Sequence, residues 1–133
     1  MKLQGGCLCG KIRYEVAGEP FNRTNCHCSF CRRASAAPFV SWFTILSKDL
    51  HWRRGQPATF QSSARARRGF CRDCGTQLTF VHEDFPGEID VTTCSLDVPA
   101  ELAPLDHTWT SSQLPWVKLA DGLAAYRESR NKS

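Results

Sequence analysis

The stretches CLC at residues 7–9 and CRDC at residues 71–74 decide the fold of this 133-residue chain. Each presents two cysteines at the spacing of metal ligands. A third stretch, CHCSFC at residues 26–31, carries three more, so seven of the eight cysteines lie in three short clusters separated by long intervals. Such clustering is typical of zinc sites, in which thiolates bind the metal from tight turns.

The three stretches divide into two sets of sulfur ligands. The two pairs together form what we call the four-cysteine cluster, Cys7, Cys9, Cys71 and Cys74. The middle stretch forms the three-cysteine cluster, Cys26, Cys28 and Cys31. Four thiolates make a closed, structural zinc site, whereas three leave one position open for water, a thiol or a substrate. We therefore expect two zinc ions per chain, one structural and one potentially reactive.

A disulfide framework is the alternative interpretation of eight cysteines in a small chain. Residues 1–6, MKLQGG, contain no apolar export signal, so we expect a cytoplasmic protein, and disulfides are rare in that reducing compartment. Cysteines one residue apart also cannot pair without strain. The spacing therefore favours metal over disulfides.

Length and charge limit the possible functions. A chain of this size is expected to form one domain, residues 1–133, and no stretch approaches the roughly 20 apolar residues of a membrane span. The net charge of +4 and the basic run RARR at residues 65–68 suggest nucleic-acid binding. Two zinc–thiolate sites would carry about −2 and −1, which lowers the total to about +1 and makes a nucleic-acid partner the weaker hypothesis. The arginines could offset the charge of the four-cysteine cluster or lie on a solvated strand face.

Alternation of polar and apolar residues, together with a run rich in aromatic and β-branched residues at 38–46, predicts a mainly β fold. Strands are expected at residues 11–16, 38–46, 59–63, 76–82 and 88–94. The last two form a hairpin across a turn at residues 85–87, with Leu78 and Phe80 on one face. Helix is expected only at residues 29–35, with Ser29 as the N-cap, and in a frayed segment at residues 119–130.

The residues around the cysteines resemble a known family. The stretches GGCLCGKIRY (residues 5–14), CHCSFCRR (residues 26–33) and FCRDCGT (residues 70–76) occur in this order. They resemble the glutathione-dependent formaldehyde-activating enzyme family, also called the centromere protein V domain family. GEI at residues 87–89, SLD at residues 95–97 and the segment 107–116 also fit it. The resemblance runs from about residue 3 to residue 116.

The resemblance implies a β-tent zinc-binding fold of small antiparallel sheets held together by zinc. It assigns a structural zinc to the four-cysteine cluster and a second zinc to the three-cysteine cluster. It also implies a carbon–sulfur lyase of the S-(hydroxymethyl)glutathione synthase type, with glutathione and formaldehyde as partners. The residues alone leave a second hypothesis open, a non-catalytic zinc-containing module that binds a protein or a nucleic acid.

The open site suggests a chemistry. A zinc ion held by three thiolates is electron-rich, so we expect the three-cysteine cluster to bind a glutathione-like thiol as its thiolate, which then attacks a small aldehyde. Arg32 and Arg33 follow directly after Cys31 and could pair with the carboxylates of such a thiol. Ordinary surface arginines are the alternative.

Three further side chains are candidates for the site. His27 could be a fourth ligand or a proton shuttle, but a packing role is favoured because its side chain is expected to point away from its neighbours. His107 could reach the site from a distant loop or cap polar groups. Cys94 is expected to be a buried apolar cysteine, with a role as the missing fourth ligand as the alternative.

Overall fold

The structure, a computed structural model, describes residues 2–130. These residues contain eleven strands, one α-helix and four 3-10 helices. The strands are β1 (Leu3–Gly6), β2 (Arg13–Val16), β3 (Phe21–Cys26), β4 (Val40–Leu46), β5 (Leu50–Arg54), β6 (Ala58–Ser63), β7 (Ala66–Phe70), β8 (Gln77–His82), β9 (Glu88–Thr92), β10 (Asp106–Thr108) and β11 (Ala124–Ala125). The helix is α1 (Ser29–Ser35), and the 3-10 helices are Ser47–Asp49, Thr93–Ser95, Pro99–Leu102 and Thr110–Ser112. The predicted mainly β class is confirmed.

The strands form two sheets of unequal size. The smaller has three antiparallel strands in the order β1-β2-β5. The larger has eight, in the order β11-β10-β3-β4-β9-β8-β7-β6. The family resemblance implies small antiparallel sheets. The larger sheet departs from this in its size and in β10, which pairs parallel with both β3 and β11. The parallel edge arises because the chain after residue 105 returns beside β3.

The larger sheet separates two groups of apolar side chains. Phe43 and Ile45 of β4 are fully buried in the main core, which also contains Tyr14 of the smaller sheet. Val40 and Trp42 belong to a second, smaller core. Successive side chains of a strand point to opposite faces, so the two cores lie on opposite sides of β4. Each core contains part of one cysteine cluster, the four-cysteine cluster in the main core and the three-cysteine cluster in the smaller one.

The predicted hairpin is present, with one difference in side-chain orientation. β8 and β9 pair antiparallel across a turn in which Gly87 has a φ of +79°. The predicted common face of Leu78 and Phe80 is wrong. The register between β7 and β8 shifts at Leu78, which has no partner on β7. This bulge turns Leu78 into the main core, whereas Phe80 packs against Trp42 in the smaller core.

The predicted helix at residues 119–130 is wrong. The segment contains only the short strand β11. Gly122 has a φ of +75°, outside the helical region. The Tyr126 N–H donates to the His107 carbonyl at 2.8 Å, which holds the segment beside β10. This hydrogen bond, with those from the N–H groups of Thr110 and Ser111 to the Tyr126 and Arg127 carbonyls, overrides a weak local helix propensity.

The helix α1 has the predicted bounds but a different N-cap. Cys28 is extended, with φ −64° and ψ 152°, and its Sγ accepts the Cys31 N–H at 3.2 Å. The sulfur therefore does what the hydroxyl of Ser29 is predicted to do. No helix within residues 2–130 has the length and apolar character needed to cross a membrane.

Candidate metal centres

The four-cysteine cluster joins two turns that are far apart in sequence. Cys7 and Cys9 follow β1, and Cys71 and Cys74 lie between β7 and β8. All four Sγ atoms lie within 4.8 Å of one another. The Cys7–Cys9 and Cys9–Cys71 Sγ distances are 3.6 and 3.8 Å. Cys7 and Cys71 are buried, whereas Cys9 is exposed, so the cluster extends from the main core to the surface.

The two turns share one backbone pattern. In each, the N–H of the first cysteine donates to the carbonyl five residues later, at 3.1 Å from Cys7 to Ile12 and 3.0 Å from Cys71 to Thr76. A glycine with a φ of +81° follows the second cysteine of each turn, and its N–H donates to the carbonyl of the first. Residues with a Cβ are strained in that conformation. The repeated Cys-Gly dipeptide is therefore a requirement of the turn.

Thr76 links the two turns of the four-cysteine cluster. Its hydroxyl accepts the Leu8 N–H at 3.0 Å and lies 3.3 Å from Cys74 Sγ. The hydrogen bonds from the Thr76 hydroxyl and backbone lower the pKa of Cys74 to about 5. Within the four-cysteine cluster this favours the thiolate on Cys74, the form in which a cysteine binds metal, whereas the pKa of Cys9 is raised to about 11.

The sulfur positions fit a zinc ion. A tetrahedral ion with Zn–S bonds of about 2.3 Å has its sulfurs about 3.8 Å apart. The measured separations are close to this and far longer than the roughly 2 Å of a disulfide bond. All eight cysteines are free thiols. The geometry therefore favours metal over disulfides.

The three-cysteine cluster is local in sequence. Cys26 ends β3, Cys28 caps α1, and Cys31 lies in the first turn of that helix. The three Sγ atoms lie within 4.8 Å of one another, with Cys26 and Cys31 3.6 Å apart. Among residues 2–130, no fourth ligand side chain joins the group. A tetrahedral ion held by these three sulfurs would have a fourth position that no side chain of residues 2–130 fills.

Hydrogen bonds among the three thiols place negative charge on Cys28. Donation from Cys26 and Cys31 lowers the pKa of Cys28 to about 2. The same interactions raise the pKa of Cys26. The cluster therefore holds a thiolate at neutral pH, which suits a soft cation.

Arg68 of β7 belongs to this site, and sequence reasoning missed it. Its side chain is 6% exposed, and its two Nη atoms lie 3.7 and 3.8 Å from Cys31 Sγ. The guanidinium also lies 4.8 Å from the centroid of the Phe80 ring. The only available signal was the alternation of side chains along a strand, which separates Arg68 from its neighbour Arg67.

The basic run at residues 65–68 does not form one surface. Arg65 pairs with Asp84 at the surface, and Arg67 is exposed. Arg68 is buried at the three-cysteine cluster, so the predicted choice between the four-cysteine cluster and a solvated face does not describe it. The run therefore supplies no continuous basic patch.

His27 and His107 lie beside the three-cysteine cluster without joining it. His27 Nε2 lies 3.0 Å from His107 Nδ1, and His107 Nε2–H donates to Asp121 at 2.8 Å. Burial lowers the pKa of His27, and its ring packs 4.8 Å from that of Phe39. The favoured packing role of His27 agrees with these contacts. His107 does come from a distant segment, but it contacts His27 and not a cysteine.

The predicted burial of Cys94 is wrong. Strand β9 ends at Thr92, and Cys94 is exposed in the following 3-10 helix. Thr93 is buried in its place, at 4% exposure. Cys94 belongs to neither cluster, so it does not supply the fourth ligand that was the alternative.

A cleft of about 610 Å³ lies between α1 and the larger sheet, and none of the three cysteines lines it. Arg33 lines it from α1, and Phe60 and Arg68 line it from the larger sheet. Arg68 is therefore common to the cleft and the cluster. Of the two arginines predicted to pair with a carboxylate, only Arg33 lines the cleft. Arg32 donates to the Ser112 carbonyl at 3.0 Å and so holds α1 against the C-terminal part of the chain.

Comparison with known proteins finds one relative by sequence and one by structure among its matches. A Schizosaccharomyces pombe protein named as an uncharacterized lyase is 33% identical over 81 residues, which are 61% of this chain and 58% of that protein. The match thus spans less than two thirds of the relative's length. A crystal structure of a Rhodobacter sphaeroides protein matches 93% of this chain and 99% of its own, with a TM-score of 0.61 and 25% identity.

The sequence also matches a family profile over most of its length. The profile of the glutathione-dependent formaldehyde-activating enzyme matches residues 2–112. This range contains β1 to β10, α1 and both cysteine clusters. The chain therefore belongs to the glutathione-dependent formaldehyde-activating enzyme family.

Proposed function

We propose that this protein is a carbon–sulfur lyase of the S-(hydroxymethyl)glutathione synthase type. It joins a glutathione-type thiol to a small aldehyde, with one zinc ion on each cysteine cluster. The observation that carries the proposal is the three-cysteine cluster, which offers three sulfur ligands and is joined through Arg68 to a cleft of about 610 Å³. Membership of the family and the lyase named among its relatives support the reaction class.

The reaction needs a thiolate and a proton. A zinc ion held by three thiolates would favour the thiolate form of an incoming thiol. The thiolate sulfur forms a bond to the aldehyde carbon, the C=O π pair moves to oxygen, and that oxygen takes the proton which the thiol released. The reverse reaction returns the thiol and the aldehyde, and neither direction changes an oxidation state that would need a redox cofactor.

The cleft provides groups for the remainder of the thiol. The guanidinium of Arg33 lines it and is suited to a glutathione carboxylate. Phe30 and Phe60 line it as well, and both rings are more than half exposed, so a bound ligand would remove them from water. The four-cysteine cluster has no part in the chemistry, because its four sulfurs use all four positions of a tetrahedral ion.

The test is whether zinc-loaded protein catalyses the exchange between glutathione, formaldehyde and S-(hydroxymethyl)glutathione. NMR exchange spectroscopy measures the exchange rate. We expect the exchange rate to rise in proportion to protein concentration. In the presence of Cys31→Ser the exchange rate should fall to that of the uncatalysed reaction. Cys94→Ser is the matched control, and its exchange rate should equal that of the wild type. Arg33→Gln should raise the KM for glutathione. The KM for 2-mercaptoethanol, which has no carboxylate, should stay unchanged.

Two results would refute the proposal. One is a wild-type protein that leaves the uncatalysed rate unchanged with glutathione and with other small thiols. The other is equal catalysis by Cys31→Ser and Cys94→Ser. The basic run at residues 65–68 gives the competing hypothesis of a nucleic-acid module no continuous patch, because it is divided between surface and interior.

A further inference from the structure

The surroundings of Arg68 call for a counter-charge. The side chain is 6% exposed, and arginine stays protonated in proteins. None of the ion pairs found within residues 2–130 includes Arg68. The Asp90 carboxyl exerts an electrostatic effect on it from a distance, but Asp90 accepts its hydrogen bond from Thr44. The close polar contacts of the guanidinium are with the sulfur of Cys31.

A buried charge without a partner is costly, and the sulfur cluster is the partner that the guanidinium touches. Three thiolates around a divalent cation carry a net charge of about −1. The guanidinium carries +1, and both of its terminal nitrogens face the same sulfur. The cluster and Arg68 together are therefore about neutral. Without Arg68, a fourth ligand with a negative charge would have to approach a centre that is already negative.

We propose that Arg68 is a positioning residue that neutralises the three-cysteine centre and thereby allows an anionic sulfur ligand to take its open position. The ligand class follows from the charge: a thiolate gains from Arg68, whereas a neutral nitrogen ligand does not. This inference rests on the proposed function only in that the ligand is a thiol. It makes no demand on the aldehyde or on the identity of the thiol.

The experiment compares three variants loaded with cobalt(II), whose absorption bands report its ligands. Arg68→Gln removes the charge, and Arg68→Lys keeps it. Arg67→Gln is the matched control, since it makes the same charge change one residue away on the exposed face of β7. Each protein is titrated with 2-mercaptoethanol, which has no carboxylate that Arg33 or Arg68 could bind, and separately with imidazole as a neutral ligand.

We expect Arg68→Gln to weaken 2-mercaptoethanol binding by about tenfold or more, because a unit charge acts strongly at this distance in a buried site. Imidazole affinity should change by less than about twofold on the same reasoning. Arg68→Lys should stay closer to wild type than Arg68→Gln, and Arg67→Gln should equal wild type. Circular dichroism checks that each variant is folded, and Arg68→Met replaces the glutamine variant if that one is not.

The proposal is overturned if Arg68→Gln loses both ligands equally, or if Arg67→Gln has the same effect as Arg68→Gln. It is also overturned if none of the uncharged variants folds, because Arg68 would then be a structural residue. These outcomes differ from failure of the proposed function. If thiol binding depends on Arg68 but the protein shows no catalysis, the inference is supported and the proposed lyase activity is refuted. If the protein catalyses the reaction and Arg68→Gln leaves the rate unchanged, the lyase activity is supported and the inference is refuted.

Discussion

The four-cysteine cluster and the three-cysteine cluster use the same ligand atom but connect different lengths of chain. Cys9 and Cys71, whose sulfurs meet at 3.8 Å, are 62 positions apart. Cys26 and Cys31, whose sulfurs meet at 3.6 Å, are five positions apart. The first cluster is supported by backbone N–H groups and the neutral hydroxyl of Thr76, the second by a buried guanidinium.

The difference separates folding from chemistry. A metal ion that closes a long loop removes much entropy from the unfolded chain, so its binding energy becomes folding energy. A cluster within one short segment closes no such loop. The three-cysteine cluster is therefore free to keep an open position, next to a charge and a cleft.

Cys74→Ser should prevent folding. It removes one sulfur from the site that joins the turn after β1 to the turn after β7. The loss can reach the roughly 5–15 kcal/mol that stabilises a whole domain. Circular dichroism and a urea titration measure it. Cys94→Ser is the control, since Cys94 is exposed and outside both clusters. A Cys74→Ser protein as stable as Cys94→Ser would mean that this cluster does not hold the fold together.

Cys31→Ser should leave a folded protein with about one zinc ion and no thiol binding. The expected loss of stability is about 1–3 kcal/mol, because the substitution disturbs one helix end and the contact with Arg68. The loss is no larger because this cluster closes no long loop. Elemental analysis gives the metal content and thermal denaturation the stability. Equal unfolding of Cys31→Ser and Cys74→Ser would remove the distinction between the clusters.

Gly75→Ala should destabilise the four-cysteine cluster by about 1–2 kcal/mol, because the φ of +81° strains a residue with a Cβ. Apart from the two adjacent residues, nothing lies within 4 Å of the added methyl group, so the effect is one of backbone conformation. Gly75→Asn is the control, since asparagine tolerates this region better. Gly10→Ala should give a similar loss, because both turns share the pattern. Urea denaturation measures all three, and equal losses for alanine and asparagine would count against the backbone explanation.

The sequence predicted local patterns well and long-range register poorly. Spacing alone sorted seven cysteines into the two groups that the structure brings together. Alternation located β8 and β9, and the run of aromatic and β-branched residues located β4. The role of Arg68 depends on which face of β7 meets α1, and the pairing of His27 with His107 depends on β10 lying beside β3. Neither register can be read from a local pattern, because both are set by contacts between distant segments.

Asp90→Asn should stabilise the protein slightly and in a pH-dependent way. Asp90 lies on the same face of the larger sheet as Arg68 and Trp42. Burial there raises its pKa from 3.8 to about 6. The folded protein therefore holds this proton more tightly than the unfolded chain, and the free energy of unfolding falls as the pH rises from about 4 to 6. Asparagine avoids that loss and still accepts the hydrogen bond from Thr44.

We expect a gain of about 1–2 kcal/mol for Asp90→Asn at pH 7.5, and about half of it at pH 5. Urea denaturation of both proteins at the two pH values measures the difference. Asp84→Asn is the control, because that carboxylate is exposed. A difference that does not change with pH would show that Asp90 is ionised in the fold as readily as in the unfolded chain.

The division into a closed and an open site is tested most directly by titrating the metal-free protein with cobalt(II) and then adding glutathione. The account predicts two bound ions per chain and a change in the thiolate-to-metal absorption bands of one of them at millimolar glutathione, with the bands of the other unchanged. In Cys31→Ser, one ion should remain and its bands should not respond. A single bound ion in the wild-type protein, or bands that glutathione leaves unchanged, would contradict the account.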